Sequence, residues 1–294
     1  MTEAQLPNSE RPTLDTEYRI VPAANGILWI KRAIVLFKRN PGAWLSCSIL
    51  LLFTFILVLL VIGLIPPLAP ASFMLTSLYL GGLMIGSHQL YQYKKFHIQH
   101  LFAGFETNTA TLCIIGLLYF GGVFISSMIG LSFSELLGFK FPTNEEIQQV
   151  ANDQQAAMQL MKSLLMPTLI SMGFLIPVLM AFWFAPALAV LFHEKPVEAM
   201  MKSLKACAFN SLPFLIYGIV CVFGILFLSI IVSLVGLLFP ILNLFLNFLL
   251  MLIFNSILIA SIYTSFEDIF PGLNHPKENS DDVDIDENSD SLIV

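Results

Sequence analysis

Along the chain, apolar residues come in long blocks that Asp, Glu, Lys and Arg never interrupt: residues 40–93, 107–134, 163–193 and 206–266. A helix rising about 1.5 Å per residue needs about 20 apolar residues to cross a hydrocarbon core of about 30 Å. The second and third blocks therefore hold one span each, and the first and last are long enough for two. Pro66-Pro67 divides the first block and Gly236 to Pro240 the last, residue types that break helices. The pattern predicts an all-α integral membrane protein with six transmembrane helices, near residues 44–65, 68–90, 109–131, 164–192, 212–235 and 241–263.

Amphipathic segments precede alternate spans. Ile27, Ile30, Ile34 and Phe37 recur at helical spacing while Lys31, Arg32, Lys38 and Arg39 cover the other face, and the run closes at Asn40-Pro41. Before the fifth span, Pro196 suits a first helical position; Val197, Met201, Leu204 and Ala208 then form one face, Glu198, Lys202 and Lys205 another, up to Asn210. A weaker third copy runs from Phe96 through Ile98, Leu101 and Phe105 to Asn108. Laying Asn40 on Asn210 also superposes Arg32 on Lys202 and Trp44 on Phe214. Two accounts fit equally: three parallel repeats of a surface helix plus a transmembrane hairpin, or the general tendency of cytoplasmic loops to be basic and amphipathic.

Charge sets the orientation. With these six spans, Lys140 and Lys162 are the two bases assigned to one side, and the other twelve Lys and Arg fall on the opposite side. The positive-inside rule then puts both termini in the cytoplasm. The first 25 residues are polar and lack the apolar core of a cleavable signal. The expected organisation is a polar cytoplasmic segment at 1–25, a membrane domain at 26–266 with an outer loop at 132–163, and an acidic disordered cytoplasmic tail at 267–294. In the outer loop, Thr143 and Glu146 form a capping-box start for a short helix.

Composition narrows the function classes. Of 294 residues, 57% are hydrophobic and 12% charged, against roughly a quarter charged in soluble domains. The net charge of −6 comes from the tail, because nine acids lie between Glu267 and Asp290 and the rest of the chain has 13 bases to 11 acids. No basic domain is present to hold phosphates, which excludes a usual nucleic-acid binder.

Little inside the spans points to chemistry. None of the six contains Asp, Glu, Lys or Arg, the residues on which proton relays, ion-coupled carriers and intramembrane hydrolases depend. No catalytic, cofactor-binding or metal-binding set is expected, and no enzyme. His88, His97, His100 and His193 gather near one boundary and read as solvated interfacial side chains, while the four cysteines lack metal or disulfide spacing. The tail run Asp282, Asp284, Asp286 lacks the Gly and the bidentate Glu of a calcium loop. Asn243, Asn247 and Asn255 mark a candidate polar face in the sixth span, either a solute path or, preferred, interhelical hydrogen bonds worth about 0.6 kcal/mol each. Pro177 and Pro186 predict kinks in the fourth span, with Trp183 between them framing a cavity or serving as a boundary anchor. Gly82 and Gly86 predict a close helix contact.

The run Gly26-Ile-Leu-Trp29-Ile-Lys-Arg-Ala-Ile-Val-Leu36-Phe37-Lys-Arg-Asn40-Pro41-Gly-Ala-Trp44 resembles the amino-terminal signature of a group of uncharacterised proteobacterial multi-pass inner-membrane proteins. Phe182-Trp183-Phe184-Ala185-Pro186-Ala187-Leu188, followed by Pro196-Val-Glu198-Ala-Met200, is similar to that group's central signature. The resemblance covers roughly residues 19–266, with Ala33-Ile34 where the group has a Gly-Trp pair. It implies the bacterial inner membrane and brings no activity. Two functional classes remain: a non-enzymatic membrane scaffold or accessory subunit, favoured by the absence of catalytic groups, and a carrier or channel for a lipid-like or uncharged solute. The expected partners are the lipid bilayer and a membrane or cytosolic protein, with no cofactor and no nucleic acid.

Overall fold

The structure, a computed structural model, describes residues 17–139 and 154–273, and these residues form helices and connecting segments without a strand. In chain order the helices are α1 (Asn25–Arg39), α2 (Pro41–Leu64), α3 (Ala69–Tyr93), α4 (Thr109–Leu136), α5 (Gln154–Trp183), α6 (Ala185–Leu191), α7 (Pro196–Phe209), α8 (Ser211–Leu238) and α9 (Pro240–Ile269). Among the described residues six segments are long and apolar enough to cross a membrane: α2, α3, α4, α5 continued by α6, α8 and α9. The six spans stand where the apolar blocks place them.

Their ends follow from local chemistry. Asn40 accepts a hydrogen bond from the Ala43 N–H (3.2 Å), and Pro41 opens α2 without a wasted donor. The fourth span breaks at Phe184, because Pro186 in the first turn of α6 has no N–H to continue the ladder. Ser203 of α7 mends the break: its hydroxyl accepts from the Phe184 N–H (2.9 Å) and donates to the Met180 carbonyl (2.6 Å). The predicted kink at Pro186 is thus a helix interruption tied to a surface helix.

The surface segments α1, Ile98–Phe105 and α7 assemble into a collar at one end of the bundle. Ile98–Phe105 is a 3-10 run, not the α-helix of the other two. It packs on α3, α7 packs on α5, and α1 packs on α9. The asparagine that closes each segment bonds a distant part of the chain at this end of the bundle. Asn40 Nδ2 donates to the Phe96 carbonyl (2.9 Å) and Asn108 Nδ2 to the Ala189 carbonyl (2.6 Å). Asn210 Nδ2 donates to the Arg19 carbonyl (3.1 Å), and its oxygen accepts from the Val21 N–H (2.9 Å). Asn40 thus reaches the approach to the second segment, Asn108 reaches α6 at the end of the fourth span, and Asn210 reaches the extended segment before α1.

Backbones meet closely in this collar. A Cβ on Gly104 would overlap the Leu78 carbonyl oxygen, and one on Gly82 would overlap the His100 and Leu101 carbonyls. Gly82 and Gly86 therefore receive the surface segment 96–101, rather than a second membrane helix as the small-residue spacing suggested. The buried core lies at this end, with Trp29, Ala33, Trp44, Leu101, Leu112, Phe184, Leu188 and Phe266 all fully enclosed. At the far end Leu64, Leu136, Leu237 and Ile241 are exposed, which is stable where the solvent is acyl chain.

Two boundaries differ from the sequence reading. The last helix runs on to Ile269, so Glu267 and Asp268, assigned by charge to the tail, are helical and buried at 7% and 3% exposure. Residues 19–22, assigned to the polar segment, lie against the end of α9, with the Arg19 N–H donating to the Ile269 carbonyl (2.9 Å). The outer loop is shortened from both sides by α4 and α5. Thr143 and Glu146, the remaining tail from 274, and residues 1–16 lie outside the described residues.

Candidate functional site

Two of the three hairpins are closed by helix packing. Glycines bring α4 onto α5, where a Cβ on Gly130 would come within 2.7 Å of Ser171 Cα and one on Gly122 within 2.7 Å of Val178. In the third hairpin Gly236 of α8 receives the side chain of Asn243 from α9. The first hairpin is different. α2 leans on α9 and on the segment 98–105 but not along α3, and among the described residues a Cβ on its Gly63 would have nothing within 4 Å.

The gap is a cavity of about 780 Å³ with α2 and α3 as walls. Met251, Leu252, Asn255 and Ile259 of α9 form its floor, with Tyr119 of α4 beside them. Along α2 it extends from Ser48 to Ile62, about 21 Å at about 1.5 Å per residue. Phe55 and Leu59, which line it, are 59% and 53% exposed, so the cleft opens sideways into the bilayer. Among the described residues no Asp, Glu, Lys or Arg lines it.

Ser48 and Asn255 line its collar-side floor, and Thr54, Ser72, Thr76, Tyr79 and Tyr119 line other parts of it. Ser48 and Ser256 hydroxyls are 2.7 Å apart, and Asn255 Nδ2 donates to Ser48 Oγ at 3.3 Å. Among the described residues nothing pairs with the Asn255 carbonyl oxygen or its second N–H. By contrast Thr54, Ser72 and Thr76 donate to carbonyls of their own helix, at 2.8, 2.6 and 2.9 Å. The cleft is thus mostly apolar along its length, with an open amide at its floor.

The three asparagines of the sixth span separate accordingly. Asn255 lines the cleft and makes the interhelical bond expected of it. Asn247 is exposed and donates to the carbonyl (3.0 Å) and the side-chain oxygen (2.7 Å) of Asn243 on the same helix. Neither Asn243 nor Asn247 lines the cleft, so the expected single face is not formed. Pro177, Trp183 and Pro186 do not line it either. Trp183 packs instead on Phe214 and Tyr217, with ring centroids 5.8 and 6.4 Å away. The candidate cavity of the fourth span is therefore filled with aromatic side chains.

A second polar centre sits in the collar, and the sequence reading missed it. Asp268 Oδ2 accepts from Trp29 Nε1 and from Asn25 Nδ2, each at 2.7 Å. Its Oδ1 accepts from Arg19 Nη2 at 2.6 Å, while Arg19 Nε donates to its backbone carbonyl, also at 2.6 Å. Arg32 lies 3.9 Å from both Asp268 and Glu267. The Tyr91 hydroxyl donates to Glu267 (3.3 Å), and His88 Nδ1 is 2.9 Å from the Tyr263 hydroxyl. A buried carboxylate is tolerable when charge-assisted donors saturate it. Here the donors come from the extended segment and α1, so the group binds the start of the chain to the last span. Ile259, Tyr263, Phe266 and Ile269 keep helical spacing up to Pro271, a signal that would have carried α9 past Glu267 and Asp268.

The histidines do not behave as solvated side chains throughout. His88 is held by Tyr263, and His193 Nδ1 lies 2.8 Å from Asn108 Nδ2. Partial burial, aided by neighbouring His97, lowers the His100 pKa. A neutral His100 ring matches its role, since its Nδ1 accepts from the His97 N–H at 2.9 Å. Among the described residues no three His, Cys, Asp or Glu are grouped to hold a metal.

Six apolar spans, a collar of surface segments and a lipid-facing exterior define a multi-pass helical membrane protein. The chain is 27% identical over 208 residues to a probable inner membrane protein of Burkholderia thailandensis, a match covering 68% of this chain and 73% of that one. No family model matches the chain, and no solved structure matches it.

Proposed function

We propose that this is a non-enzymatic inner-membrane protein that holds a lipid-like, uncharged molecule inside the bilayer, the carrier reading rather than the scaffold. The parted first hairpin carries the proposal. Two consecutive apolar helices gain dispersion energy by packing together, as α4 with α5 and α8 with α9 do. Keeping α2 and α3 apart forgoes that gain, and the chain in the gap must come from the bilayer. A lining without charge suits an uncharged guest. The asparagine that follows each surface segment and bonds a distant backbone carbonyl also supports three parallel units.

The test is the lipid that accompanies the protein through gentle purification. Ser72→Phe, which places a ring in the cleft, is expected to lower the copurifying lipid per protein by half or more while leaving the elution profile unchanged. Unaltered lipid content would overturn the carrier reading. The basic residues around the collar support placing that end and both termini in the cytoplasm. A reporter active only outside the cytoplasm will then be active when fused after Gln155 and silent after Gln99 or Asn279; the reverse pattern refutes the orientation.

A further inference from the structure

The free amide at the cleft floor specifies more than a hydrocarbon. We propose that the cleft takes a single-chain lipid whose uncharged end group, a hydroxyl or carbonyl, docks on Asn255 beside Ser48 while its chain lies between α2 and α3. The inference rests on the carrier reading and narrows it.

Three observations support it. First, Asn255 presents an unmet acceptor and an unmet N–H to a space lined mostly by apolar residues, where polar groups without partners are costly. A hydroxyl satisfies both and a carbonyl satisfies the N–H, whereas the terminal methyl of a phospholipid tail satisfies neither. Second, Ser48 lies seven residues into α2, about 10 Å below its start at about 1.5 Å per residue, a depth at which a charged head group is expensive and finds no counter-charge in the lining. Third, the cleft length of about 21 Å exceeds one leaflet of about 15 Å, half the hydrocarbon core. A guest filling it starts about 10 Å inside the collar-side boundary and crosses the midplane, which a two-chain lipid anchored at that interface cannot do.

The experiment uses the full chain in phospholipid nanodiscs with two photoreactive probes, a diazirine-bearing long-chain alcohol and a diazirine-bearing phosphatidylcholine. Labelled peptides are located by mass spectrometry. The alcohol is expected to label residues 48–62 and 69–83, excess hexadecanol to suppress that labelling, and hexadecane to leave it. Asn255→Leu should weaken it by about fivefold to tenfold, the worth of one hydrogen bond, and Asn255→Gln by less. Equal competition by hexadecane, or full labelling of a folded Asn255→Leu protein, overturns the end-group assignment while the cleft stands as a lipid site. Failure of both probes to label the cleft above the lipid-facing surface of α8 overturns the carrier reading itself. If Asn255→Leu does not fold, the wild-type competition decides alone.

Discussion

Replacing Asp268 with alanine is expected to destabilise the folded chain by about 3–5 kcal/mol, the scale of removing one partner from a buried ionic group. The carboxylate is 2% exposed and its two oxygens serve three side chains from the other end of the sequence. Without it the Trp29 and Asn25 donors are left inside the collar with nothing to accept from, and an unsatisfied buried donor costs about 1–3 kcal/mol by itself. Arg19 contributes less, since its side chain is 55% exposed and water screens the pair. Thermal unfolding in detergent, followed by fluorescence-detected size exclusion, reads the effect. Glu198→Ala is the comparison, because Glu198 faces Lys195 at 3.9 Å on the surface and such pairs are worth at most about 1 kcal/mol. If the two variants melt together, Asp268 does not hold the collar to the last span.

Gly104→Val should produce the second large loss, about 1–3 kcal/mol or more, through overpacking. The segment Ile98–Phe105 lies so close to α3 that a Cβ at Gly104 would occupy the place of the Leu78 carbonyl oxygen, a backbone atom that cannot swing away. Phe96, just before this segment, takes the Asn40 contact, and the segment carries the Leu101 side chain into the core, so displacing it opens the collar. Gly63→Ala in α2 is expected to be neutral or stabilising by up to about 1 kcal/mol, because among the described residues nothing lies within 4 Å of a Cβ there and alanine is the better helix former. Equal melting temperatures for Gly104→Val and Gly63→Ala would contradict the close approach.

Span number, span position and the two tight turns are legible from residue order because the bilayer imposes them. Every backbone polar group must be paired within hydrocarbon, so an uncharged stretch of sufficient length has to be helical, and Pro66-Pro67 and Pro240 have to fall where helices stop or start. The surface helices α1 and α7 are equally legible, since a basic face beside an apolar one suits an interface. Charge counting failed at Glu267 and Asp268 because it treats acids as solvated, whereas Trp29, Asn25 and Arg19 are brought to Asp268 by folding. Their separation in sequence, about 240 residues, leaves no local pattern to read.

Residue order alone thus determined that this chain is a six-span helical membrane protein with amphipathic surface segments at one end. Tertiary structure decided which apolar faces meet protein and which meet lipid. In a bilayer the exterior is as apolar as the interior, so Leu83 in the core and Leu64 in the acyl chains look alike in sequence. For the same reason only the fold could separate Asn255, at the floor of an open cleft, from Asn247, turned back on its own helix. And only the fold could part α2 from α3, because the closeness of a hairpin depends on what else its helices lean against.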